Sequence, residues 1–93
     1  MIQETAETLA LQALAYVVSE EKARNTFMTQ TGLDGAEMRE HAGKADFQAG
    51  VLDFLTRHED LLIGFCESVD LAPADISAAH RALSPHAGTW NSS

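Results

Sequence analysis

One twelve-residue pattern occurs twice in this chain, and that repetition limits the available folds more than any other feature. The stretch FMTQTGLDGAEM runs from Phe27 to Met38, and FCESVDLAPADI comes thirty-eight positions later, from Phe65 to Ile76. Aligned at that offset without gaps, Leu14 pairs with Leu52, Glu21 with Glu59, Phe27 with Phe65, Leu33 with Leu71 and Ala36 with Ala74. Conservative pairs extend the match: Tyr16 with Phe54, Val17 with Leu55, Glu37 with Asp75 and Met38 with Ile76. These are core-forming or helix-capping positions. A unit of this size closes no core alone, but two copies can share one. The pattern predicts a compact all-α bundle of five or six short helices in two related three-helix halves. The repeat covers about 9–42 and 47–80, inside a single helical domain at 1–83.

Local signals agree with helices. Strand-like alternation is absent beyond four residues, and alanine is abundant. The first helix is predicted from Gln3 to Val18, apolar on nearly every side after Leu9, as expected of a central helix. A second covers Ser19 to Thr31, closed by Gly32 in the left-handed conformation. Asp34, three before Glu37, makes a capping box for a short third helix ending near Gly43. Asp46 is placed to cap a fourth, Leu61 to Val69 line a fifth, and Pro73 opens a sixth as a first helical residue. No Gly or Pro separates Val18 from Glu20 or Arg57 from Glu59, so each pair reads equally well as two helices or one bent helix. From Ser84 the periodicity stops, and 84–93 read as a flexible C-terminal tail carrying Trp90.

Charge and size narrow the function classes. Ninety-three residues make one domain, and a chain this short buries only about 60–65% of its unfolded surface. Six Lys and Arg against fourteen Asp and Glu leave a formal charge of −8, which repels phosphate backbones and anionic lipid. The expected partners are therefore proteins, with no nucleic acid and no membrane; a homodimer is among the options. The apolar run LALQALAYVV is too short to span a bilayer. One cysteine, Cys66, allows no internal disulfide and suits a reducing cytoplasm.

Chemistry-bearing residues form no recognisable constellation. His41, His58, His80 and His86 include no i, i+3 or i, i+4 pair of the kind that holds zinc. The acids Asp53, Asp60 and Glu67 border an apolar face, and Glu20, Glu21, Glu59 and Asp60 sit at helix starts, where the dipole favours them. The glycines make no phosphate-cradling loop. The third helix offers Arg39 alone, between acids, as a reader of bases. No cofactor, metal or catalytic residue is predicted. The alternative is a small-ligand-binding protein or enzyme using His58, His80 and neighbouring acids. The favoured reading is a non-catalytic interaction module whose surface includes Leu11, Tyr16, Val18, Met28, Met38 and Trp90. Against it stands the plain expectation that most of these residues are core.

Three stretches carry a resemblance: ALQALAYVV, FMTQTGLDGAEMREHAG and VLDFLTRHEDLLIGFCESVDLAPADI. Together they resemble a small, all-helical bacterial domain family of unknown function, over about residues 6–83. The resemblance implies a helical fold and a loose link to signalling, with no activity or ligand residues to carry over. The chain departs from the family pattern where Ser19-Glu20 replaces Asp-Pro, and where Gly35 stands in place of proline after the first turn.

Overall fold

The computed structural model describes residues 2–83, six α-helices without a strand among them. They are α1 (Gln3–Ser19), α2 (Glu21–Thr31), α3 (Gly35–His41), α4 (Ala45–Arg57), α5 (Glu59–Val69) and α6 (Pro73–Leu83). Both helix junctions left open by the sequence are breaks, each made by one residue. Glu20 is extended (φ −89°, ψ 116°), and His58 leaves the helical region in its own way (φ −123°, ψ 86°). No proline is needed, because side chains satisfy the carbonyls that each ending helix exposes. Arg24 donates from Nη1 to the Val18 carbonyl at 3.3 Å, and the His58 ring meets the Phe54 carbonyl at 2.8 Å.

The turns obey the expected chemistry, with one difference. Gly32 closes α2 at φ +74°, its N–H donating to the Met28 carbonyl at 2.8 Å. Asp34 and Glu37 form the capping box: the Glu37 N–H donates to Asp34 Oδ1 at 2.8 Å, and the Asp34 N–H to Glu37 Oε1 at 3.2 Å. Asp46 is not the cap of α4. The helix starts earlier, with Lys44 as its N-cap, and Asp46 lies in the first turn. In the second copy of the turn Asp70 takes the left-handed role at φ +56°, and the Ala72 N–H donates to Asp75 Oδ2 at 3.0 Å.

The ends of Ser19 and Arg57, the starts of Glu21 and Glu59, the ends of Thr31 and Val69, and the starts of Gly35 and Pro73 all stand 38 positions apart. Packing crosses between the halves. Tyr16 of α1 tilts over Phe65 of α5, ring centroids 5.5 Å apart, while Phe54 of α4 meets Phe27 of α2 edge-on at 5.0 Å. Helix α6 lies against both α1 and α4, and those two pack on each other. Val17, Met38, Leu52, Phe65, Ile76 and Leu83 are fully buried. Full burial of a side chain this size is worth roughly 1.5–3 kcal/mol relative to exposure. Gln48, the one buried polar side chain among the described residues, donates from Nε2 to the Ala42 carbonyl at 2.8 Å and so ties the end of α3 to α4.

The two left-handed closures give a paired expectation. Gly32→Ala places a Cβ in left-handed backbone and should cost about 1–2 kcal/mol. Asp70→Gly relieves the same strain and should leave stability equal or higher. Urea unfolding monitored by circular dichroism measures both, and a harmless Gly32→Ala would show that this turn relaxes freely.

Candidate functional site

The side of α1 that faces away from the core is the candidate surface. Its buried face is Ala6, Leu9, Ala10, Ala13, Leu14 and Val17, at helical spacing. Opposite lie Leu11, Ala15 and Val18, at i, i+4 and i+7, all exposed: Leu11 at 46% and Val18 at 37%. Helices α2, α4 and α6 pack against α1 and leave this row exposed. Toward the N-terminus the row continues as Glu7 and Glu4.

The other sequence-predicted surface residues divide. Met38 is fully buried on the inward side of α3 and belongs to the core, not to a docking surface. Its thioether fills the position matched by Ile76 in α6, and an apolar side chain there is more stable out of water. Met28 is half-buried and packs against the core. Trp90 lies outside the described residues. Two exposed apolar side chains escaped the sequence reading: Ile2, and Ile63 at 45%. Ile63 could have been found from spacing, since it falls two residues from both Leu61 and Phe65 and so points away from their face.

Tyr16 is half-buried and sits where α1 meets α5. A Cβ on Gly64 would overlap its hydroxyl, so the glycine is what lets the phenol lie over α5. Burial raises the phenol above its ordinary pKa, helped by the charges of Glu20, Asp60 and Glu67. Asp60 is paired: Lys22 Nζ reaches its Oδ2 at 2.9 Å and holds its carboxyl below the usual range. Asp53 accepts from Arg57 Nε at 2.9 Å, with His80 Nε2 at 3.9 Å from its other oxygen. Burial pushes the Cys66 thiol up, with Asp75 adding to the effect, so it is a poor nucleophile at neutral pH.

His58 and His80 do different work. The His58 ring stacks on Phe54 at 4.4 Å, Nδ1 contacts the Phe54 carbonyl and Nε2 the Gln30 side-chain amide at 3.2 Å. With a carbonyl at Nδ1, that nitrogen carries the proton, and Nε2 is left to accept from Gln30. Both nitrogens thus serve the α4–α5 junction. Among the described residues no group of three His, Cys, Asp or Glu side chains is placed to hold a metal ion. No described helix is long and apolar enough to cross a membrane.

A six-helix bundle with an unpartnered helix face and no assembled reactive centre among its described residues defines the class by fold alone. The chain belongs to the DUF3572 family, a protein family of unknown function, whose profile matches residues 3–86. No curated protein and no solved structure matches it.

These contacts carry two expectations. Alanine at a mid-helix glycine ordinarily gains about 1 kcal/mol. At Gly64 the overlap with Tyr16, whose ring is held by Phe65, should outweigh that gain and leave a net loss of about 1–2 kcal/mol. Adding Tyr16→Phe should recover most of it, because the ring carbon Cζ keeps an ordinary 3.5 Å from the new Cβ. Denaturant unfolding of the single and double variants reads this directly, and a Gly64→Ala loss that Tyr16→Phe leaves unchanged would refute the hydroxyl as its cause. Separately, His58→Ala should cost about 1–2 kcal/mol through the lost stack and carbonyl contact, and lower the Tm by several degrees. His80→Ala should stay within about 0.5 kcal/mol, since its one ionic contact among the described residues is long and half-exposed. Thermal melts in the presence and absence of divalent metal separate this from a binding role, in which both variants keep their Tm and lose a metal-induced shift.

Proposed function

We propose that this protein is a non-catalytic protein–protein interaction module, working in a bacterial cytoplasm and docking through the outward side of α1. The observation that carries the reading is the row Leu11, Ala15 and Val18, aligned on one helix and exposed at all three positions. Single exposed apolar residues are common on any surface; an ordered row along a helix is the pattern that helix-recognising partners use. Tyr16, turned toward α5, braces this helix, and Met28 contributes through the core beneath. Cys66, a single free and buried cysteine, is in keeping with a reducing compartment. The family resemblance supports a bacterial setting.

The test uses the double variant Leu11→Glu/Val18→Glu. Because both side chains are in solvent, unfolding free energy should change by no more than about 0.5 kcal/mol. Wild-type protein should retain a specific protein from lysate that the variant loses. Light scattering over a roughly hundredfold concentration range should give a monomer for both. A large stability loss would mean that the row is part of the fold, and equal retention by variant and wild type would move the docking surface off α1.

A further inference from the structure

With α1 taken as the docking helix, a reading on which this inference rests, the bundle also specifies the kind of partner. Helices at matching positions in the two halves are covered differently. Helix α6 packs against both α4 and α1, and on α4 it reaches the side of Leu52, Ala49 and Asp53 at Asp53. Leu52 is fully buried there, Ala49 and Asp53 are half-buried, and His80 of α6 comes within 3.9 Å of Asp53. The matching side of α1 holds Leu14, Leu11 and Ala15. The helix that corresponds to α6 is α3, seven residues long against eleven, and it makes no comparable packing against α1. Leu14 keeps 8% exposure, Leu11 46%, and Ala15 is exposed. So the row Leu11, Ala15 and Val18 is a more open seat than its counterpart on α4, the row Ala49, Asp53 and Thr56, of which Thr56 alone is exposed.

We infer that this seat takes an amphipathic helix of a partner protein, basic along its polar side. Helix α6 shows the apolar pattern of such an occupant: Ile76, Ala79 and Leu83, at i, i+3 and i+7, are its buried residues. The charge comes from the receiving side. Glu4 and Glu7 extend the row of Leu11, Ala15 and Val18 at its N-terminal end, α1 contains no Lys or Arg, and the whole chain carries −8; Arg24, bonded to the Val18 carbonyl, is a cation at the row's other end. A second copy would bring the same acids and the same net charge to the seat. A cationic helix meets complementary charge at the same apolar row, with a faster encounter at low salt.

An isotope-labelled full chain titrated with two synthetic peptides tests this. One is an amphipathic leucine–lysine helix of about 18 residues, long enough to be helical when bound; the other is its leucine–glutamate counterpart. The lysine peptide should shift backbone amide signals between Glu7 and Val18, and more weakly at high salt. Leu11→Glu should weaken it at least about tenfold, and Ile63→Glu, on a separate exposed position, should not. The glutamate peptide should leave α1 unmoved. If both peptides bind α1 equally, the charge inference falls and the docking reading stands. If the lysine peptide moves other surfaces and leaves α1 unchanged, both fall. If neither binds and light scattering shows a dimer that Leu11→Glu dissociates, the occupant is a second copy and the inference is overturned. If neither binds and the chain stays monomeric, it is overturned as well.

Discussion

Phe27 against Phe54 and Tyr16 against Phe65 are the contacts on which the rest of the bundle depends. Each pair joins a helix of one half to a helix of the other, at 5.0 and 5.5 Å between centroids. Neither half can therefore cover its own large rings. Aromatic side chains bury more area than any other residue type, so a chain of this size loses a large share of its stability if these faces are left in water. Phe65 is fully buried and Phe54 nearly so, whereas Tyr16 is half-buried, its hydroxyl lying against Gly64. The glycine at position 64 is the accommodation that this hydroxyl demands.

Given that crossing, the short connections become intelligible. A helix that must turn back toward the opposite half within one residue has no room for a loop. Glu20 and His58 each make the turn alone, and a neighbouring side chain satisfies a carbonyl of the ending helix in both places. Two different solutions serve the same geometry: an arginine from the next helix in one half, the break residue's own imidazole in the other. His58 thus has a structural task on its apolar stripe. Its ring is a structural cap that stacks on the phenylalanine one turn earlier.

Much of this was legible in the sequence. The Gly32 closure, the Asp34–Glu37 capping box and Pro73 at the start of α6 depend on short-range chemistry, and each could be read from a few neighbouring residues. The breaks at Glu20 and His58 could not, because Arg24, Phe54 and Gln30 act on them through contacts that a linear pattern does not reveal. The surface was legible only in part. Leu11 and Val18 were found from the excess of apolar residues on α1. Met38 was misplaced because a methionine beside a turn looks the same whether the short helix turns that face inward or outward. Which side of α1 stays open depends on the length and path of α3, a tertiary fact with no local signature.

Lys22 and Asp60 form an ion pair at 2.9 Å, and they occupy the same place in their respective halves. Were two N-terminal halves to associate as a twin of this arrangement, two ammonium groups would face each other at that point; two C-terminal halves would oppose two carboxylates. Only the mixed pairing puts a cation against an anion. On a solvated surface the attraction adds little to stability, but the repulsions bias against the wrong combinations. The same contact would therefore count against any assembly in which like meets like.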